Sequence, residues 1–503
     1  MPLPAPRADG REAGRDRRPF LAFDLRPVLF TIGLLLVILA FGMCVPAVFD
    51  AVEGNDDWKA FLASAAITAS AGGGLVLANR CPAGIFSIRQ AFILTALIWT
   101  VLTFFAAIPF LLSPLGLSLT DAYFEAMSGI TTTGSTVLTG LDAMPSGILL
   151  WRAVLQWLGG LGIVVMTISI LPMMRIGGMQ MFRAEAFETE GKILPRAAQL
   201  SAGITLILLA FTAILVSALM LAGMTLVEAV VHAMTTIATG GYSTSDSSIG
   251  HFDSAAIDVI VTMGMVAGGI PFMLYLRIVH GDWRPIFRDT QVRAFAYVLA
   301  ASIAAIAGWL IFARGFAPLA ALRLSAFNVT SIMTGTGYAS ADYTQWGSFP
   351  IGFMFFLMFV GGCYGSTACG IKLFRFQIMF EAARLQLKRL IQPHGVYMPT
   401  FNRRPLKDEV IGSVVSYFCF FILFFAALSA ALTFDGLDLV TALSGAGTAM
   451  CNVGPGLGDI IGPAGNFQSL SDSAKWMLVA GMLVGRLEVF SIFVIFIPSF
   501  WRG

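Results

Sequence analysis

Apolar runs of roughly 20 residues, the length that carries a helix across a ~30 Å hydrocarbon core, recur along the whole chain. They lie near residues 28–49, 60–79, 90–113, 148–173, 198–223, 255–279, 293–314, 349–374, 409–433 and 476–500. With 57% hydrophobic and 12% charged residues over 503 positions, the chain has too little polar surface for a soluble protein. The sequence therefore predicts an all-α polytopic membrane protein with ten spans. Its first run is longer than the ~7 to 15 apolar residues of a cleaved leader, so it is expected to remain as a membrane helix.

Charge placement predicts orientation. Most of the 31 Lys and Arg fall in alternate connections: Arg7 to Arg26, Arg80 and Arg89, Arg175 to Arg196, Arg277 to Arg293, Lys372 to Lys407, and Arg502. By the positive-inside bias both termini are expected in the cytoplasm. The opposite connections hold Asp50, Glu53, Asp56, Asp57, Asp121, Asp142, Asp246, Asp253, Asp342, Asp435, Asp438, Asp459 and Asp472. These acids either collect where bases are excluded or raise cation concentration at an outer mouth. A net charge of +2 gives no reason to expect a nucleic-acid partner. The six cysteines show no CxxC or histidine at metal spacing and read as packing residues.

Between full spans lie four apolar stretches too short to cross: Asp121 to Ile130, Leu226 to Ile237, Arg323 to Met333 and Asp438 to Met450. Each leads into a segment ending on glycine: Thr132-Thr133-Gly134, Ala238-Thr239-Gly240, Gly335-Thr336-Gly337 and Asn452-Val453-Gly454. The interval is about a hundred residues, which marks a fourfold internal repeat. The chain divides into a tail (1–27), a two-helix region (28–89) and four units at 90–197, 198–290, 291–408 and 409–503. A half-span that enters from outside and stops in mid-membrane leaves irregular backbone, which must face water or protein rather than lipid. Glycine lets successive carbonyls turn to one axis, and four such segments could replace the hydration shell of a monovalent cation. The fourth, with Val453 and Pro455, is expected to be the most individual in geometry and the weakest in hydrogen-bonded support.

Gln156-Trp157-Leu158-Gly159-Gly160-Leu161-Gly162, Gly177-Gly178-Met179-Gln180, the four glycine segments, Gly361-Gly362-Cys363-Tyr364-Gly365-Ser366-Thr367 and Gly485-Arg486-Leu487-Glu488 resemble the Trk/Ktr/HKT superfamily of potassium transporters. The resemblance covers residues 28–503 and is nearer the TrkH branch than KtrB, because two helices precede the first unit. It implies two extra N-terminal helices plus four covalently joined units of helix, pore helix, filter and helix around one pore. It also implies a homodimer, a TrkA-type cytosolic nucleotide-binding regulatory subunit, the cell inner membrane as location, and K⁺ as the transported ion with no cofactor. Within the superfamily, serine in place of the first filter glycine marks sodium-preferring members, so Gly134 favours potassium; a sodium or H⁺/Na⁺-coupled cation transporter is the alternative.

In the same family the segment matching Gly361, Gly362, Gly365, Ser366, Thr367 and Gly370 is a movable intramembrane gate, although a further glycine pair is usual where this chain has Ala368-Cys369. The glycines independently predict a helix break in mid-membrane. Arg486 lies inside an apolar run, where it must face water or a partner. It either obstructs the pore, as the matching family arginine does, or pairs with nearby Glu488. Lys372 and Arg375 are expected to snorkel at the inner boundary, Lys372 beside the gate. Arg152 is expected to brace the outer entrance. The connection Phe376 to Glu409 is a positive-inside anchor or the docking site for the regulatory subunit. The chain has neither a GxGxxG after a strand nor a Walker A sequence, and neither HExxH nor GxSxG, so the sequence does not predict an enzyme.

Overall fold

The computed structural model describes residues 24–80, 86–169, 193–395, 397–402 and 404–502, with Met174, Gly178 and Met179. Residues 1–23 of the expected tail, Arg175, Arg183 and Lys192, Cys81, and Gly177 and Gln180 of the glycine motif lie outside these residues.

The chain is predominantly helical, apart from a two-residue antiparallel pair between Thr400–Phe401 and Arg404–Pro405. Two helices, α1 (Arg26–Glu53) and α2 (Trp58–Ala78), form a leading hairpin. They cross so closely at Gly33 and Gly72 that a Cβ on either would stand 2.8 Å from the other's carbonyl oxygen. The side chain of Asp50, at the end of α1, accepts a hydrogen bond from Gly147 N (2.7 Å). It thereby caps a helix of the next unit and docks the hairpin.

The first unit follows with α3 (Ile88–Leu112), the half-helix α4 (Leu119–Ile130) and α5 (Ser146–Ser169). The second has α6 (Ile193–Leu221), the half-helix α7 (Leu226–Ile237), and the pair α8 (Ala255–Gly268) and α9 (Phe272–Val279). A short α10 (Arg284–Arg288) leads to α11 (Thr290–Arg314), the half-helix α12 (Pro318–Thr334), α13 (Ser348–Leu357) and α14 (Leu373–Ile391). The last unit has α15 (Asp408–Phe434), the half-helix α16 (Leu439–Cys451), α17 (Asp472–Leu487) and α18 (Val489–Phe493).

Each half-helix starts at a residue suited to the task. Ser118 and Thr225 accept hydrogen bonds from the backbone of Asp121 and Glu228, Asp438 accepts from Val440 and Thr441, and α12 opens on Pro318. The third starts five residues before the expected Arg323, because Pro318 and not the arginine begins the helix.

The ten expected spans, of which only that at 349–374 is expected to be interrupted, resolve differently. Among the described residues seven helices are long and apolar enough to cross alone. The run at 255–279 bends by 94° at Gly269-Ile270-Pro271, where proline removes a donor, and the run at 476–500 bends by 107° at Glu488. The run at 349–374 is interrupted between α13 and α14, as its glycines predict. Straight helices turn exposed apolar side chains such as Phe41, Phe312 and Phe434 outward, the surface expected of a chain in lipid. The C-terminal parts of the half-helices and the breaks are buried inside, where irregular backbone finds partners.

Candidate functional site

The four half-helices end on one motif, built from backbone. A left-handed residue follows each helix: Thr132 (φ 53°), Thr239 (φ 50°), Gly335 (φ 70°) and Asn452 (φ 50°). The next N–H then reaches back to a helix carbonyl: Thr133 to Ser128 (2.8 Å), Gly240 to Thr235 (2.8 Å), Thr336 to Ser331 (2.9 Å) and Val453 to Thr448 (3.1 Å). One residue further stands a left-handed glycine: Gly134, Gly241, Gly337 and Gly454, with φ of 88°, 81°, 82° and 107°.

This corrects the register of the second segment. Gly241, not Gly240, is the counterpart of Gly134, and Ala238 continues the helix as Thr131 does. Ala-Thr-Gly-Gly offers two glycines, and the helix end decides which is left-handed. At Gly240 the Gln156 side chain occupies the volume a Cβ would need, while its Nε2 donates to Gly240 O (2.6 Å) and its Oε1 accepts from Tyr242 N (3.1 Å).

The glycines interlock. A Cβ on Gly134 would overlap the carbonyl oxygen of Gly240, one on Gly241 that of Thr336, and one on Gly337 that of Val453, while one on Gly454 would stand 2.8 Å from that of Thr133. Each segment thus lies against the carbonyl of the next, and the fourth closes on the first. At Gly454 the φ departs most, as expected, but support is not missing: Ser135 Oγ donates to Gly454 O (2.8 Å).

Polar side chains on the half-helices fasten the strands that leave the ring. Glu125 accepts from Val137 N (3.0 Å) and Thr136 Oγ1 (3.0 Å). His232 Nε2 meets Ser243 Oγ (3.0 Å), Asn328 Nδ2 donates to Ser340 Oγ (2.9 Å), and Ser444 Oγ accepts from Leu457 N (2.9 Å). Sequence reasoning missed all four. For three of them the signal was a polar residue seven positions before the left-handed residue, at Glu125, His232 and Asn328, while Ser444 stands one position earlier. Arg152 braces the same level: its Nε donates to Glu125 Oε1 (2.8 Å), its Nη1 to Ser243 O (2.9 Å), and its guanidinium lies 4.0 Å from the Tyr242 ring centre.

Directly beneath runs the loop 361–370, buried apart from half-buried Gly370. Its donors reach the ends of three half-helices: Thr367 Oγ1 to Ile237 O (2.9 Å), Cys369 N to Thr334 O (3.2 Å) and Gly370 N to Cys451 O (2.9 Å). Carbonyls left over at helix C-termini are thereby satisfied. The loop is anchored on its other side by Cys363 N and Thr367 N, which donate to Gly269 O and Gly268 O (both 3.1 Å). The remaining predicted gate residues have local roles. Gly361 N donates to Ile371 O (2.9 Å), Gly362 O accepts from Leu373 N (3.2 Å), Gly365 O accepts from Phe272 N (2.9 Å), and Ser366 Oγ donates to Cys363 O (2.6 Å).

Several charges sit otherwise than expected. Lys372 and Arg375 do not snorkel: both are buried, Lys372 Nζ donating to Ala368 O and Arg375 Nη2 pairing with Glu488 Oε2 at 2.6 Å. Arg375 also lies 3.8 Å from the Tyr417 ring centre. Glu488 is therefore taken by Arg375 and not by Arg486. Arg486 Nη1 instead donates to Cys369 Sγ (2.8 Å) and Nη2 to Gly159 O (3.4 Å). Cys369 is thus more than a packing residue, lying between Arg486 and Thr132 Oγ1 (3.5 Å).

Four re-entrant helices meeting in a closed ring of backbone carbonyls, with a buried loop and an arginine beneath, define a polytopic membrane protein of the re-entrant, ion-handling class. Comparison with known proteins agrees. The family model TrkH, described as a cation transport protein, matches residues 58–502. The Trk system potassium uptake protein TrkI of Halomonas elongata is 42% identical over 95% of this chain and 97% of its own length. TrkH of Escherichia coli K12, also named a Trk system potassium uptake protein, is 35% identical over 95% of this chain and 99% of its own. The crystal structure of the potassium transporter TrkH from Vibrio parahaemolyticus superposes with a TM-score of 0.88 at 32% identity, covering 95% of this chain and all of that one. The chain belongs to the TrkH family of cation transport proteins, which are membrane ion transporters and not enzymes.

Proposed function

We propose that the protein takes up potassium across the cell inner membrane, with both termini cytoplasmic, along the axis enclosed by the four glycine segments. The observation that carries this reading is the interlocking of the glycines, each against the carbonyl oxygen of the next segment. Oxygens at the level of Thr133, Gly240, Thr336 and Val453 replace waters around a dehydrated cation. The half-helices turn their negative dipole ends to the same axis. Names of relatives such as TrkI and TrkH, potassium uptake proteins of a Trk system, support potassium as the ion.

The loop 361–370 and Arg486 form the gate in this reading. A guanidinium below a cation filter repels the ion electrostatically, and the loop fills the way beneath. Because the loop is held by single hydrogen bonds to half-helix ends, it can leave without unfolding a helix. A homodimer, and a nucleotide-binding partner docked on the basic connection 376–409, complete the system.

Potassium flux from purified full-length protein in liposomes tests the reading. Gly134→Ser is expected to weaken discrimination against sodium; unchanged K⁺/Na⁺ selectivity removes Gly134 from the filter. Arg486→Gln is expected to raise basal flux, and unaltered flux in a normally folded variant removes Arg486 from the path. Flux with and without H⁺ and Na⁺ gradients separates channel-like uptake from coupled transport.

A further inference from the structure

A cavity of about 470 Å³ opens beside the loop, lined by α9, α10, the start of α11 and Asn402. Three arginines line it: Arg277 from the last turn of α9, and Arg284 and Arg288 from α10. All three are exposed, and among the described residues none of their guanidiniums makes a hydrogen bond or an ion pair. Four other described arginines, Arg152, Arg323, Arg375 and Arg384, each hold a carboxylate, and Arg80, Arg89 and Arg293 share the lack of one but do not line this cavity. Two aspartates also line the cavity. Asp289 is engaged, its Oδ1 accepting from Gln291 N (2.8 Å) and Val292 N (3.2 Å) as the cap of α11. Asp282 then leaves an excess of positive charge in the cavity.

Three free guanidiniums converging on one hollow suit an anion with several acceptor oxygens, and phosphate matches their fork geometry. They do not suit a cation vestibule. The surroundings indicate where that phosphate comes from. Trp283 and Phe287 flank the arginines, 60% and 69% exposed, stacked edge to face at 6.0 Å between ring centres. Exposed aromatic side chains beside arginines on a short helix are the pattern of the membrane interface, at the depth of lipid headgroups.

We infer that this cavity binds the phosphate group of an anionic membrane phospholipid through Arg277, Arg284 and Arg288. The site communicates with the loop. Tyr364 and Gly365 line the same cavity, Tyr364 N donates to Gln291 Oε1 (3.0 Å), and Phe272 N donates to Gly365 O (2.9 Å). A bound headgroup draws α9, α10 and the start of α11 together and so stiffens the loop's attachments. That effect on transport rests on the gate assignment above, whereas binding itself does not.

Two measurements keep these apart. In the first, purified full-length protein in detergent is titrated with dioctanoyl phosphatidylglycerol and followed by thermal unfolding. A saturable rise in Tm is expected, with apparent affinity falling about tenfold or more in Arg284→Gln/Arg288→Gln and largely retained in the corresponding lysine variant. An equal rise with inorganic phosphate keeps the site and assigns it to free phosphate. No rise, an equal rise with dioctanoyl phosphatidylcholine, or an undiminished rise in the glutamine variant overturns the proposal. If lipid has no effect and the glutamine variant instead loses a co-purifying cytosolic protein, the surface is a protein-docking site and the proposal fails. In the second, potassium flux is compared in phosphatidylcholine vesicles with and without phosphatidylglycerol. A lipid dependence that disappears in the glutamine variant supports coupling to the loop; intact binding with lipid-independent flux overturns the coupling alone.

Discussion

Two buried arginines, one above the carbonyl ring and one below the loop, use the same chemistry for different ends. Arg152 pairs with Glu125 and lies over Tyr242; Arg375 pairs with Glu488 and lies over Tyr417. At the upper site both partners stand on regular helices of one unit, and the Glu125 carboxylate is shared among Arg152, Thr136 and Val137. The lower pair spans two units, and Glu488 sits at the 107° break with φ of 64°. A left-handed glutamate stores strain of about 1–3 kcal/mol, held only while its surroundings insist. The upper site ties together helices of one unit. The lower joins α14, which emerges from the loop, to the broken last span.

The comparison can be broken at several points. The largest effect is expected from Arg152→Met, which leaves Glu125 buried and uncompensated at about 3–5 kcal/mol. Loss of folded protein by size-exclusion chromatography, partly restored in Glu125→Gln/Arg152→Met, is the expected result; a well-folded single variant refutes the brace. Glu488→Gln should cost less, about 2 kcal/mol, because the amide still accepts one hydrogen bond. It should also alter basal potassium flux. Equal stability losses with unchanged flux would make the two sites alike.

Next comes the register of the ring. Gly241→Ala imposes a left-handed alanine, about 1–2 kcal/mol in backbone alone, and drives its Cβ into Thr336 O. It should therefore abolish selective flux. Gly240→Ala meets the flexible Gln156 side chain and should be milder in the same assay. The reverse order would restore Gly240 as the ring glycine.

The smallest effect is at the exposed rim. Hydrogen bonds from Ser245 and the backbone of Asp246, with His251 nearby, hold the Asp142 carboxyl below its ordinary pKa. Because the folded value is depressed, its contribution is present above the unfolded pKa and is lost as pH falls through the folded one. Asp142→Asn should remove a slight acid sensitivity of the Tm and leave selectivity unchanged. A large shift in either would make the rim part of the brace.

Much of the fold could be read without coordinates. Half-helices were visible because their apolar runs are too short to cross, and that at Leu226–Ile237 matches to the residue because Thr225 and Glu228 mark its start. Straight spans were equally plain. Broken ones were not, since a window of apolar residues reads the same whether Pro271 or Glu488 bends it. Arg375 was misplaced for a related reason: its partner stands in another unit, and sequence distance hides the pair.

By itself, then, the sequence determined the medium, the four half-spans, the glycine at each ring position but one, and the family. Those follow from local quantities: run length, capping residues and the absence of a side chain. Tertiary structure alone decided that Gly241 completes the ring, that Gln156 fills the space at Gly240, and that Glu488 belongs to Arg375 while Arg486 meets Cys369. Each of these depends on which groups meet across units, where a buried charge or carbonyl must find its partner regardless of distance along the chain.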